Sequence, residues 1–246
     1  FLILEQFTPE HPARSLTELA ALTGLNKAVI LRILNTLKKH QYVIQDSVTK
    51  QYRLGLKLVD LSQVVLNHLN LRFIALPVMQ RLVSKTGESS FLNVCIENES
   101  VCIEKVENNE SLRITYPIGR HTPLHVGAPA RLLLAFLPPN RREEIIAAGL
   151  PRFTERTITD PQRLREVLEQ IRRDGYAFSE GELTPGVAAV SAPVFDGKGQ
   201  VIAALSVSGP AVRFGPDRLD YLIQATVQSA QEISSLLQGW VGQIVY

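Results

Sequence analysis

Residues 16–40 read LTELAALTGLNKAVILRILNTLKKH, and this stretch decides the N-terminal fold. Leu16, Leu19 and Ala20 recur at helical spacing up to Thr23-Gly24, and Val29, Ile33, Leu34 and Leu37 begin a second helical run three residues on. Two short helices around a glycine predict a helix-turn-helix. Gly24 takes positive φ without steric cost, and Leu25 is placed to plug the angle between the helices. Such a second helix lies in a DNA major groove, where its outward side chains would be Lys27, Arg32, Asn35, Lys38 and Lys39.

The residues after His40 narrow the reading. Tyr42–Gln45 and Gln51–Leu54 alternate like strands around the turn Asp46–Lys50, so a hairpin succeeds the recognition helix and the module becomes a winged helix-turn-helix. Between residues 27 and 53 there are six bases, Lys27, Arg32, Lys38, Lys39, Lys50 and Arg53, against one acid, Asp46. A merely solvated face mixes signs, so this bias favours phosphate contact, with Lys50 and Arg53 contributing from the wing. Upstream, Phe1–Phe7 reads as a helix remnant that packs under the module, broken by Pro9 and Pro12. Ser15 with Glu18 three residues on predicts a capping box. The chain opens without Met, and the native N-terminal residues are expected to precede Phe1.

The whole chain of 246 residues has room for a small and a medium domain. Its 45% apolar and 20% charged residues are ordinary for a soluble protein. The net charge of +2 conceals an asymmetry: residues 1–54 hold seven bases against four acids, and the remainder is close to neutral. A polyanionic partner is therefore expected at the N-terminal module alone. Cys95 and Cys102, separated by six residues in strand-like surroundings, read as buried free thiols of a reducing cytoplasm. The longest apolar run, Leu132–Leu137, is far short of a membrane span, and there is no secretory signal.

Beyond the wing, Leu54, Leu58, Leu61, Val65 and Leu69 mark an amphipathic connecting helix, which buries its stripe in its own monomer or, the reading favoured here, against a second subunit. The expected domains are residues 1–54, a linker helix over 55–70, and residues 71–246. In the last, a helix over Phe73–Thr86 precedes strands over Ser90–Glu97, Val101–Val106 and Leu112–Ile118. Helices are expected over Gly127–Leu137, Arg141–Ala148 and from Pro161, capped by Asp160, to about Arg173. Tyr176–Ser179, Ala188–Phe195 and Val201–Ser208 read as strands, and a last helix starts near Pro216. Strands and helices alternate without a regular βαβ rhythm. The expected class is therefore α+β, with an antiparallel sheet.

The segments YRLGLKLVDL (52–61), PLHVGAPARLLLAFLP (123–138), RTITDP (156–161), VIAALSVSGP (201–210) and above all GYAFSEGELTPGVAAVSAPVFD (175–196) carry a resemblance. In this order, behind a winged module, they closely resemble the IclR family of bacterial transcription regulators over essentially the whole chain. The resemblance implies a homodimer, often paired into a homotetramer, whose N-terminal domain binds double-stranded promoter DNA. It also implies a GAF-like C-terminal domain that binds a small organic effector and catalyses no reaction, in a protein acting as repressor or activator, without cofactor or metal.

Carried over from the family, the effector pocket would be lined by Ile114, Thr122, Gly127, Ala128, Pro129, Ser179, Ala189, Ser206 and Ser208. The residues themselves supply a rationale. Gly127 and Ala128 open a helix, where free amides and the helix dipole attract a carboxylate, and Pro129 fits its first turn. Ser206 and Ser208 alternate along one strand and so face one side. Two departures matter: many relatives carry an acid where this chain has Ser179, and a cysteine where it has Ala189. The less polar pocket predicts a larger, partly apolar or aromatic carboxylate rather than a small keto acid. The recognition helix departs too, with Ala28, Val29 and Leu31 at places often polar in the family. Base reading then falls to Arg32, Lys27 and Asn35, to thymine methyl contact, or to DNA shape.

An alternative is an enzyme domain that metabolises its small molecule beside an accessory DNA-binding module. The chain has no G-x-S-x-G elbow, P-loop or H-E-x-x-H. His121 and His125, with Glu182 or Cys95, are the residues that such chemistry would use, although nothing in the spacing brings them together.

Overall fold

The computed structural model describes residues 1–61 and 70–238, and the chain divides into two compact units, residues 1–68 and 69–246. In the first unit, the strand β1 (Ala13–Arg14) leads into helices α1 (Leu16–Thr23) and α2 (Lys27–Lys39), followed by strands β2 (Val43–Gln45) and β3 (Tyr52–Leu54). The local chemistry is the expected one. Ser15 Oγ accepts from the Glu18 amide at 3.2 Å while the Glu18 carboxylate accepts from the Ser15 amide at 2.7 Å, closing the capping box. Gly24 ends α1 at φ +69°, and Asn26 caps α2 by accepting from the Ala28 amide at 2.8 Å. The wing turn is held by Asp46, whose carboxylate accepts from the Val48 and Thr49 amides.

Several details differ from the sequence reading. Residues 1–7 form only a 3-10 turn, Leu4–Gln6, because the chain becomes extended at Phe7 ahead of Pro9. Ile3 is nevertheless buried in the module's core with Leu19, Ile30, Leu34, Val43 and Tyr52. The apolar face of α2 differs at its first member: Ile30 is buried and Val29 is exposed, while Ile33, Leu34 and Leu37 pack into the core as expected. The short β1 was not foreseen; it pairs with β3 and makes the order β1-β3-β2. Leu54 lies in β3 rather than in the linker, and residues 57–61 are helical. The rest of the expected stripe, Val65 and Leu69, lies outside the described residues.

In the second unit, α3 (Asn70–Thr86) starts three residues earlier than expected. Then come β4 (Ser89–Ile96), β5 (Glu99–Val106), β6 (His121–Pro123), α4 (Ala128–Phe136), α5 (Pro139–Ala147), α6 (Pro161–Asp174), β7 (Ala177–Glu180), β8 (Val187–Phe195), β9 (Val201–Pro210) and α7 (Pro216–Gln238). The six strands form one antiparallel sheet in the order β6-β5-β4-β9-β8-β7, as the α+β reading requires. Asp160 caps α6 through the Gln162 and Arg163 amides, and Gly175 closes it at φ +74°.

Leu112–Ile118 is not a strand. Pro117 has no amide for a ladder, and the chain rejoins β5 only where the Gly119 amide donates to the Cys102 carbonyl at 2.7 Å, with Gly119 at φ +86°. β6 begins two residues later.

Strand alternation sorts the sheet into two faces. Leu92, Val94, Val101, Val190, Val194, Leu205 and Val207 pack with α3 and α7 in the larger core. Ala189 and Ala204, on the other face, pack with Leu132 of α4 and Leu164, Leu168 and Ile171 of α6. Glu88, fully buried in the α3–β4 turn, accepts two hydrogen bonds from Arg213 (2.8 and 2.7 Å) and one from Arg218 (3.1 Å). That knot ties the start of α7 and the end of β9 to the start of β4.

Candidate functional site

The first unit presents the outer surface of α2. Ala28, Leu31, Arg32, Asn35, Thr36 and Lys39 line one shallow exposed groove along it. Every sequence-predicted DNA-contact residue is exposed: Lys27, Arg32, Asn35, Lys38, Lys39, Lys50 and Arg53. They do not all share the groove. Lys38 reaches sideways and donates to Gln45 of β2 at 3.2 Å, while Lys50 and Arg53 sit on the wing, Lys50 in a left-handed turn at φ +58°. The groove itself holds two bases and no acid, so it can meet phosphates and base edges together.

In the second unit, the sheet face turned toward α4 opens into a cavity of about 640 Å³ when the solvent-filled mouth is counted. Strand register builds its floor. Phe91 of β4 pairs with Ser206 of β9, Ser208 with Ala189 of β8, and Ala189 with Ser179 of β7, which sets all of them on one face. The N-terminus of α4 forms a wall. Of the nine predicted pocket residues, Thr122, Gly127, Ala128, Pro129, Ser179, Ala189, Ser206 and Ser208 line the cavity. Ile114 does not; it lies in the irregular segment after β5, where Tyr116 takes the cavity position instead.

The amides expected to await a carboxylate are already engaged. The Gly127 amide donates to Glu182 Oε2 at 3.2 Å and the Ala128 amide to Ser179 Oγ at 2.9 Å. Glu182 also pairs with Arg131 of α4, whose side chain is 2% exposed and also donates to the Phe178 carbonyl at 2.7 Å. Burial pulls the pKa of the Arg131 guanidinium down to about 10. The helix thus carries its own internal anion at its positive end.

Sequence reasoning missed Phe91, Asn93, Ser100, Tyr116 and Arg120, all of which line the cavity. Asn93 donates to Ser100 Oγ at 3.2 Å, the Tyr116 ring centroid stands 5.4 Å from that of Phe91, and the Arg120 guanidinium lies 4.0 Å over the Tyr116 ring. Alternation along β4 was the available signal for Phe91 and Asn93; nothing local marked Tyr116 or Arg120.

The residues weighed for acid–base chemistry are drawn to separate partners. His121 Nδ1 meets Glu99 at 2.8 Å, whereas His125 Nε2 faces the Pro151 carbonyl at 2.9 Å. Burial lowers the His125 pKa, helped by the charge of Arg131 and opposed by the bond to Pro151. Cys102 lines the cavity as a thiol, its pKa pushed up to about 11 chiefly by burial, and burial also raises half-buried Cys95. Among the described residues no three His, Cys, Asp or Glu side chains are grouped to hold a metal ion, and no helix is long and apolar enough to cross a membrane.

Residues 1–47 match the IclR helix-turn-helix domain family, and residues 63–235 match the family described as bacterial transcriptional regulator IclR C-terminal. These families, and the relatives found, are transcriptional regulators and not enzymes. The regulator KipR of Bacillus subtilis (strain 168) is 37% identical over 227 residues, covering 91% of this chain and 89% of its own. KdgR of Escherichia coli (strain K12) is 34% identical over 221 residues, with 89% and 84% covered. Among solved structures, an IclR transcriptional regulator from Alicyclobacillus acidocaldarius superposes with a TM-score of 0.86 at 27% identity, over 95% of this chain and 94% of that one. An IclR homolog from Microbacterium hydrocarbonoxydans, complexed with 4-hydroxybenzoate, does so with a TM-score of 0.86 at 26% identity, over 97% of each chain.

Proposed function

The chain belongs to the IclR family of bacterial transcriptional regulators, and from that premise we propose that a partly apolar, aromatic carboxylate held in the sheet cavity sets its affinity for, or activity at, a promoter. The observation that carries this reading is the mixed chemistry of the cavity. Phe91, Tyr116, Val126, Val187 and Ala189 offer an apolar body, and Asn93, Ser100, Ser206 and Ser208 offer polar contacts around it. That lining suits a ring with polar ends better than a very small polar acid. The 4-hydroxybenzoate complex of a structural neighbour supports the same class.

On the DNA side, Arg32, Asn35 and Lys39 read the major groove from α2 with Lys27 beside them, while Lys38, Lys50 and Arg53 meet the backbone. The protein works as a homodimer or a dimer of dimers: exposed Leu56 and Leu61, at the start of the linker helix, favour pairing with a second copy, and a symmetric pair fits two half-sites one helical turn apart. Operation in the cytoplasm accords with the free thiols and the DNA target.

The test is fluorescence anisotropy of the full chain on the DNA upstream of its own gene, against a scrambled duplex, over a salt series with and without benzoates. Preference for the upstream duplex by about a thousandfold or more, changed by an aromatic acid, supports the reading. Equal, equally salt-sensitive binding to both duplexes refutes sequence-specific recognition there. A response to glyoxylate or pyruvate alone refutes the aromatic class.

A further inference from the structure

The cavity is lined by two charged side chains among the described residues, Glu182 and Arg120. Glu182 is neutralised in place: it pairs with buried Arg131 and accepts from the Gly127 amide. Arg120 has no carboxylate partner among the described residues. The cavity therefore carries one uncompensated positive charge, and the α4 amides that would otherwise attract an anion are engaged by Glu182 and Ser179.

Arg120 is also held in position. Its carbonyl accepts from the Cys102 amide at 3.1 Å and its own amide donates to the Pro117 carbonyl at 3.2 Å, which fixes the backbone against β5. Its guanidinium is 4.0 Å from the centre of the Tyr116 ring, which in turn leans on Phe91. A guanidinium resting on an aromatic ring keeps its in-plane N–H groups outward, and that fork matches the two oxygens of a carboxylate.

We propose that Arg120, and not the N-terminus of α4, anchors the carboxylate of the effector, and that Ser208 reads a polar group at the opposite end of its ring. This rests on the effector-cavity reading above. β9 lies two strands from β5, and Ser208 stands four residues along β9 from Ala204, the residue level with Cys102, so its backbone is roughly 16 Å from the point on β5 that braces Arg120. The Arg120 side chain crosses much of that distance, because it extends over Tyr116 toward Phe91, which pairs with Ser206 two residues from Ser208, and a benzoate with a para substituent takes the remainder. Ser208 is a suitable reader: it is 5% exposed, and among the described residues its hydroxyl has no hydrogen-bond partner, whereas Ser206 already donates to the Phe91 carbonyl at 3.4 Å.

The experiment is isothermal calorimetry of the full chain with 4-hydroxybenzoate, 4-hydroxybenzamide, benzoate and hexanoate, comparing wild type with Arg120→Gln, Arg120→Lys and Ser208→Ala, each first checked for an unchanged melting temperature. The expected result is that Arg120→Gln weakens 4-hydroxybenzoate about ten- to a hundredfold and leaves the uncharged benzamide unchanged, with Arg120→Lys between. Ser208→Ala should weaken 4-hydroxybenzoate several-fold and leave benzoate unchanged. Equal carboxylate affinity in wild type and Arg120→Gln overturns the anchor while the aromatic-effector reading stands. Binding of hexanoate alone, lost in Arg120→Gln, keeps the anchor and removes the aromatic class and the role of Ser208. If wild type binds no carboxylate at millimolar concentration, both fall.

Discussion

Replacing Glu182 with leucine isolates the energetic role of the ion pair behind the cavity wall. The substitution leaves the Arg131 guanidinium in place without its counter-charge, and it leaves the Gly127 amide without its acceptor. Arg131 is 2% exposed and the Glu182 side chain 10%, so water replaces the lost partner poorly; Arg131 Nε already lacks a hydrogen-bond partner. Removing one member of a dry pair costs about 3–5 kcal/mol. In a unit of this size that corresponds to a melting temperature lower by roughly 6–20 °C. The double variant Glu182→Leu with Arg131→Met removes both charges and fills the space with apolar groups. It should recover most of the loss and retain about 1–2 kcal/mol for the orphaned Gly127 amide. Scanning calorimetry of the full chain, tracking the transition of the larger unit in wild type, Glu182→Leu, Arg131→Met and the double variant, measures all four corners of the cycle. A single variant melting within about 2 °C of wild type, or a double variant no more stable than Glu182→Leu alone, would refute the assignment of this pair as buried and mutually dependent.

Three other perturbations probe separate parts of the molecule. Arg32→Ala, on the groove of α2, should weaken operator binding about ten- to a hundredfold, against a few-fold for Lys50→Ala on the wing; equal small losses in anisotropy titrations would mean that α2 does not face the bases. Gly55→Ala should destabilise the smaller unit by about 1–3 kcal/mol in denaturant titrations, because the new Cβ would overlap the Gln41 carbonyl at a buried backbone crossing; an unchanged midpoint would show that the crossing relaxes freely. His125 has a folded-state pKa below its ordinary 6.5, so as pH falls through 6.5 the unfolded chain takes up a proton that the folded chain refuses. Stability should therefore be fully present above that pH and decline below it, with the slope reduced in His125→Gln; an unchanged slope would dismiss this histidine as the source.

What could be read from the sequence was what the chain settles within a few residues. Ser15 finds Glu18, Asp160 finds the amides of Gln162 and Arg163, and Gly24 and Gly175 close their helices in the left-handed region, each through neighbours no more than four positions away. The hidden parts depend on partners brought together by the sheet. Arg131 and Glu182 are 51 positions apart, and Glu88 meets Arg213 and Arg218 across 125 and 130. Leu112–Ile118 misled for a related reason. It has the alternation of a strand, yet alternation records which side chains can be apolar and not whether a neighbouring edge is free to pair. The choice of Ile30 over Val29 in α2 has the same origin: the two are close in hydropathy, and packing with Leu19 and Tyr52 decides between them.

The pocket rationale failed at one step. A helix N-terminus is a ready anion site only while its amides are unoccupied, and here a carboxylate from the same chain occupies that position. The consequence reaches beyond the helix. An anion at α4 would meet a wall of the cavity held by the second core. Arg120 belongs to the irregular segment between β5 and β6, which is fastened by Gly119 and Arg120 against Cys102, by Glu107 and Thr115 against Lys105, by Asn108 against Gly87 and Ser89, and by the Leu112 carbonyl against Arg213. Arg213 is also a ligand of Glu88 in the knot at the α3–β4 turn. An anion drawn to Arg120 would act on a segment one of whose anchors, Arg213, is shared with the knot that joins β4, β9 and α7. A charge recognised at Arg120 would thus be connected, through the Leu112 carbonyl and Arg213, to the Glu88 turn between α3 and β4, whereas a charge recognised at α4 would meet a wall braced by Glu182 and Arg131.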